Sequence, residues 1–130
     1  MNEKILVVED NPLNMRLIEM TLRRRGYMLL MASDGQEAIK MALIERPDLI
    51  IMDIQLPGIN GLDVTRKLRK TPPVSDTPII GVTAYAMKGD REKIIEAGCD
   101  AYLSKPVDTR QLPELVARML LTKHNNNPLS

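Results

Sequence analysis

The sequence predicts an α/β fold of the doubly wound kind, (βα)5, with a five-stranded parallel sheet and helices on both of its faces. Three observations predict it. Five short apolar runs recur along the chain, at Ile5–Val8, Tyr27–Ala32, Leu49–Met52, Ile79–Val82 and Ala101–Leu103. Each is followed by residues at helical spacing, and such alternation implies a parallel sheet with right-handed crossovers. The third run is apolar throughout and ends in Asp53, as a strand buried on both faces does. The 130 residues suit one domain, expected over residues 1–122, with a polar, fraying tail over 123–130.

The first run ends in Glu9-Asp10. Asn11 offers a helix N-cap and Pro12 an ideal first helical residue. Leu13, Leu17 and Met20 repeat at helical spacing, with Ile18 and Leu22 widening the stripe. Arg23-Arg24-Arg25 fills the last turn, where cations complement the helix dipole, and Gly26 ends it. These arginines read as a solvated helix end first and as a docking contact for an acidic partner second.

After the second strand, Asp34 and Glu37 have the spacing of a cap with its reciprocal partner. Ala38, Met41 and Ala42 then share a helical face, and Pro47 closes the unit. Beyond Asp53 the chain turns through Pro57-Gly58 and Gly61 into a third helix carrying Leu62, Thr65 and Leu68. Thr71-Pro72-Pro73 stops that helix. Pro78 introduces the fourth strand, which ends at Thr83. A charged fourth helix is expected from Met87 or Lys88 to Ala97, anchored by Ile94 and Ile95 and stopped at Gly98. The fifth strand leads into Ser104-Lys105-Pro106, and the last helix carries Leu112, Leu115, Val116 and Met119. Asp108 is a possible cap for it. Pro113 would then sit at the fifth helical position and remove a hydrogen bond, which predicts a later start or an irregular first turn.

Composition narrows the function classes. There is no Trp and no Phe, and nine Met are expected to help fill the core. A net charge of +1 makes no case for a nucleic-acid or membrane surface. No stretch approaches the roughly 20 apolar residues of a membrane span. The lone Cys99 has no partner for an intrachain disulfide, which fits a reducing, cytoplasmic location. Met1-Asn2-Glu3-Lys4 leads directly into a strand, so no signal peptide is expected and a free-standing protein is favoured.

In a parallel sheet of this kind, the carboxyl ends of the strands lie on one rim, where ligands bind. Read in order, those ends bring together Glu9 and Asp10, Asp53, Thr83 and Lys105. Like charges about 4 Å apart repel by roughly 4 kcal/mol at an effective dielectric near 20. One lysine offsets part of that. A hard divalent ion offsets more, and all-oxygen donors suit Mg²⁺ or Mn²⁺. A carboxylate beside a divalent ion and an ammonium is equipped for phosphoryl transfer, with Asp53 as the nucleophile.

Five stretches carry a resemblance: Val8-Glu9-Asp10-Asn11, Met52-Asp53-Ile54-Gln55-Leu56-Pro57, Gly61-Leu62, Val82-Thr83-Ala84 and Tyr102-Leu103-Ser104-Lys105-Pro106. In this order and at these spacings the chain resembles a response-regulator receiver domain of two-component signalling, from Lys4 to about Leu121. The run Thr83 to Asp90 also resembles single-domain regulators of the DivK type and receivers of hybrid kinases.

The resemblance implies a flavodoxin-like sheet of order 2-1-3-4-5. It implies that Asp53 accepts a phosphoryl group from a phosphohistidine on a sensor histidine kinase or a histidine phosphotransferase. Asp10, Asp53 and the backbone carbonyl of Gln55 would ligate Mg²⁺ (or Mn²⁺), with Glu9 acting through water. Lys105, joined to Pro106 by a cis bond, would bind a phosphoryl oxygen. Thr83 would move toward the phosphoryl group and Tyr102 would swing inward behind it. That would alter the surface of the fourth helix, fifth strand and fifth helix for a downstream protein. Gln55 and Tyr85 fall at positions that vary in the family and tune dephosphorylation. No DNA-binding or enzymatic output domain is expected.

Two other functions compete. A phosphate-independent pseudo-receiver scaffold would need neither the acidic pocket nor Lys105. A turnover phosphatase of the haloacid type places a second acid two residues after its nucleophile, where this chain has Gln55.

Overall fold

Five strands and five helices alternate along the described residues, 3–84 and 88–125, of a computed structural model. They are β1 (Lys4–Val8), α1 (Pro12–Arg23), β2 (Met28–Ala32), α2 (Gly35–Glu45), β3 (Leu49–Asp53), α3 (Gly61–Arg69), β4 (Ile79–Thr83), α4 (Lys88–Ala97), β5 (Ala101–Ser104) and α5 (Gln111–Asn125). The sheet is parallel throughout, in the order β2-β1-β3-β4-β5. This is the expected architecture. β3 lies at its centre, and every residue of β3 and β4 is buried.

Side-chain alternation along the strands divides the core in two. Ile5, Val7, Leu49, Ile51, Ile80 and Val82 face α1 and α5, packing with Ile18, Leu22, Leu112 and Val116. Leu6, Val8, Ile50 and Met52 face the other way, toward Ala38 and Ala42 of α2, Val64 and Leu68 of α3, and Ile94 of α4. Successive residues of a strand point to opposite faces, so a continuous apolar run feeds both layers.

The caps form as the residue types dictate. The Asn11 side chain accepts from the N–H groups of Leu13 (2.9 Å) and Asn14 (3.1 Å), and Pro12 opens α1. Asp34 accepts from Glu37 N–H (2.8 Å), but the Glu37 carboxylate reaches back to Ser33 N–H (3.0 Å), one residue beyond the cap. Asn60 caps α3 through Asp63 N–H (2.9 Å).

Several expectations are corrected. Leu13, Leu17 and Met20 lie on the exposed face of α1, while Ile18 and Leu22 are the buried pair. On α4, Ile94 is buried but Ile95 is half exposed, and Ala97 is the second buried anchor. Of the described methionines only Met52 is fully buried; Met15, Met41 and Met119 pack at the margins of an Ile-, Leu- and Val-rich core. α1 ends at Arg23, so Arg24 and Arg25 lie past its last turn.

α5 starts late, at Gln111, with the Asp108 carboxylate accepting from Arg110 N–H (2.7 Å) and Gln111 N–H (3.2 Å). Pro113 is then the third helical residue, where no intrahelical N–H bond is lost. The helix continues to Asn125, through residues 123–125 of the expected tail. Residues 126–130, and Tyr85 and Met87, lie outside the described residues. Among the described residues no helix is long and apolar enough to cross a membrane.

Candidate functional site

Parallel pairing sets the rim. β1 pairs with β3 so that Val8 is level with Met52. β3 pairs with β4 so that Asp53 is level with Val82, and β4 with β5 so that Thr83 is level with Ser104. The ladder runs on past the strand ends through Ile54 N–H to Val82 carbonyl (2.9 Å) and Lys105 N–H to Thr83 carbonyl (2.8 Å). It therefore holds the residues that follow each strand.

Carboxylate oxygens of Glu9, Asp10 and Asp53 lie within 4.8 Å of one another. Glu9 and Asp53 are buried at 2% and 1% exposure, whereas Asp10 is exposed at the mouth. Lys105 Nζ reaches in to 3.0 Å from Asp53 Oδ2 and 3.2 Å from Glu9 Oε1. Its peptide bond to Pro106 is cis.

The two oxygens of Asp53 differ. Oδ1 accepts the Gln55 backbone N–H at 2.9 Å. Oδ2 is buried, and its partner is the Lys105 ammonium, 3.0 Å away at an angle poor for a hydrogen bond. A buried carboxylate oxygen held by one poorly aligned donor is under-satisfied.

The electrostatics follow. Burial first, and the adjacent Glu9 carboxylate second, raise the Asp53 pKa to about 6, against the opposing pull of Lys105 and the Gln55 N–H. Burial acts to depress Lys105, but the Asp53 and Glu9 carboxylates outweigh it and hold the ammonium above its ordinary value. Among the described residues, the Lys105 ammonium pairs with Asp53 and Glu9, and Asp10 adds a third carboxylate to the cluster. The all-oxygen donor set, its excess negative charge and the under-satisfied Oδ2 fit a hard divalent cation.

Gly61 lets α3 approach this point. Its N–H donates to the Ile54 carbonyl (3.0 Å), and a Cβ there would run into the Asp53 carbonyl oxygen and Ile54 Cα. Thr83 is buried at the end of β4. Tyr102 is not part of the acidic cluster. It is half-buried on β5, level with Gly81, with the Arg91 guanidinium 5.7 Å from its ring centroid. What sequence reasoning missed is the contact made by the side chain of Gln55. Its Nε2 donates to Thr83 Oγ1 (2.9 Å), and its Oε1 accepts from Ala84 N–H (3.0 Å). No local pattern signals this, because the partners are 28 and 29 residues away in sequence.

Known proteins share this fold and much of this sequence. The response regulator receiver domain family matches residues 5–117. The polar-differentiation response regulator DivK of Brucella anthropi is 43% identical over 120 residues, covering 92% of this chain and 98% of that protein. Among solved structures, the receiver domain of a sensor histidine kinase from Pseudomonas aeruginosa, with a magnesium ion coordinated in its active-site cleft, is 39% identical. It superposes with a TM-score of 0.86 over 92% of this chain and 98% of its own. A CheY-like receiver domain protein from Methanospirillum hungatei superposes with a TM-score of 0.90 at 28% identity, over 98% and 100% of the two chains. These are signalling regulators, not members of a metabolic enzyme family. The chain therefore belongs to the response regulator receiver domain family, the phosphorylation-activated switches of two-component signalling.

Proposed function

We propose that the domain accepts a phosphoryl group on Asp53 from a phosphohistidine of a sensor histidine kinase or histidine phosphotransferase. The observation that carries this reading is the buried Asp53 carboxylate, with Oδ2 3.0 Å from the Lys105 ammonium and two further acids beside it. In the transfer, a bond forms between an Asp53 oxygen and phosphorus. The phosphorus–nitrogen bond of phosphohistidine breaks, and its electron pair stays on the imidazole.

Asp10, Asp53 and the Gln55 backbone carbonyl are the groups to hold Mg²⁺ or Mn²⁺, with Glu9 contributing through water. When bound, the ion neutralises charge on the phosphoryl oxygens. Lys105 holds a phosphoryl oxygen in place of the Asp53 oxygen it now touches. Thr83 donates its hydroxyl to the phosphoryl group, and Tyr102 follows inward. Tyr102 also lines a groove with Arg91, Ile95, Gln111 and Leu115 of α4 and α5. A change at Tyr102 is therefore passed to the α4-β5-α5 surface, where a downstream protein binds.

The donor side is different. The exposed Leu13, Leu17 and Met20 form an apolar stripe on α1. Arg24 and Arg25 line the shallow groove that Leu17 and Met20 share with Pro113. That surface suits an acidic, helical partner. The site acts on its own Asp53 in the cytoplasm and turns over no free substrate.

Incubation with a small phosphodonor and Mg²⁺ tests the reading. The intact mass is expected to rise by one phosphoryl group in the wild type and not in Asp53→Asn. Labelling of Asp53→Asn at the wild-type level overturns the acceptor. Failure of the wild type to bind Mg²⁺ or take up phosphate favours a scaffold.

A further inference from the structure

Gln55 is tied to both halves of the site. Its backbone N–H holds Asp53 Oδ1, while its side chain crosses from the β3–α3 connection to the end of β4. The neighbours fix the orientation of its amide. Ala84 N–H can only donate, so the atom 3.0 Å from it is Oε1; Nε2 then donates to Thr83 Oγ1. The two bonds grip consecutive residues, one at the end of β4 and one just beyond it.

This grip is present while Asp53 carries no phosphoryl group. The Ala84 N–H has one hydrogen, and its bond to Oε1 must break before it serves another acceptor. Gln55 is anchored through its own backbone to Asp53, which restrains it from following Thr83 and Ala84 if they shift. A phosphoryl group on Asp53 is a charged acceptor on the neighbouring strand, and charge-assisted hydrogen bonds are about twice as strong as neutral ones. The exchange therefore favours the phosphoryl group, opposed by the two amide bonds that it replaces.

We propose that Gln55 is a positioning residue that straps Thr83 and Ala84 in the resting arrangement. The strength of this strap sets how completely a phosphoryl group on Asp53 shifts the domain to its active arrangement. An interaction made only in the resting state lowers the apparent affinity for any ligand that selects the other state. The role is separate from the lifetime of the phosphoryl group, and it rests on Asp53 being the acceptor.

The test is binding of beryllofluoride, a phosphoryl mimic, with Mg²⁺ to the full chain. Gln55→Met and Gln55→Leu put an apolar side chain of similar length or bulk in place of the amide and lose both bonds, so either serves if the other folds poorly. Both are expected to bind beryllofluoride about five- to tenfold more tightly than wild type, close to the factor that one net hydrogen bond carries. Each titration is run at saturating Mg²⁺ for that protein, so that a change in metal affinity does not enter the comparison. In NMR spectra of the free variants, the Ala84 amide is expected to move toward its position in the wild-type beryllofluoride complex. A purely structural role would not produce that directed shift. Beryllofluoride affinity that is unchanged or weakened in the variants overturns the strap while leaving the acceptor reading intact. A wild type that binds no beryllofluoride overturns both.

Discussion

Lys105 Nζ lies 3.0 Å from Asp53 Oδ2, at an angle poor for a hydrogen bond. The ammonium neutralises the carboxylate but satisfies it only in part. Above about pH 6, Asp53 is thereby held charged and buried beside the Glu9 carboxylate, a costly state for a resting protein. Such a group gives a cation or a phosphoryl partner much to improve.

That cost has a pH signature. The folded state holds the Asp53 proton up to about pH 6, against 3.8 for an unperturbed aspartate. Between those values the folded state binds more protons than the unfolded one, so stability falls as pH rises. The contribution is complete below about pH 4 and lost above about pH 6. Two pKa units correspond to at most about 3 kcal/mol, a figure already net of the Lys105 pairing and lessened by relaxation and solvent screening around the site. Asp53→Asn is therefore expected to be about 1–2 kcal/mol more stable than wild type at pH 8 without divalent ions. The gain should vanish near pH 4, as read by urea unfolding across the range.

Mg²⁺ should stabilise the wild type. At about ten times its dissociation constant, a ligand bound only by the folded state adds about 1.4 kcal/mol. For a domain of this size that is a rise of roughly 3–5 °C in unfolding temperature. Asp10→Asn and Asp53→Asn should lose most of this rise, and chelator should abolish it, in thermal scans.

Arg69 is a structural hub far from the rim. Its guanidinium donates to the carbonyls of Gly98 (2.8 Å), Ser75 (3.0 Å) and Thr77 (2.6 Å) and to Asp100 Oδ2 (2.7 Å), which also accepts Ile79 N–H (2.8 Å). Arg69→Ala strands several partly buried carbonyls and should cost about 2–3 kcal/mol. Arg69→Lys should recover little, because an ammonium cannot reproduce the planar fork. Both variants should still take up phosphate, which separates fold from site.

On α1, Leu17→Asp alters a partly exposed side chain, 38% accessible. Its effect on stability should be small, within about 0.5 kcal/mol. Transfer from a phosphohistidine donor is expected to slow about tenfold or more, the equivalent of about 1.4 kcal/mol of docking energy. Labelling by a small phosphodonor should be unchanged. Equal rates from both donors for wild type and variant would place the docking surface elsewhere.

The strand ends were legible in the sequence because a parallel sheet sends every one of them to the same rim, whatever the details of packing. The caps at Asn11 and Asp34 were legible because they are local. The buried face of α1 was not. Apolar residues occur at 13, 15, 17, 18, 20 and 22, so two faces of one helix look equally apolar, and only docking on the sheet selects Ile18 and Leu22. Ile94 and Ile95 pose the same problem on α4. The forks of Arg69 and the side-chain grip of Gln55 depend on residues brought together by tertiary structure, and no spacing rule announces them.

Borohydride trapping tests the central claim most directly. An aspartyl phosphate is an acyl phosphate, which borohydride reduces, leaving homoserine in place of the aspartate. After phosphotransfer from a histidine donor with Mg²⁺, peptide mapping is predicted to find homoserine at residue 53 alone. Reduction at another acid, or phosphate uptake with no reducible acyl phosphate, would contradict the account.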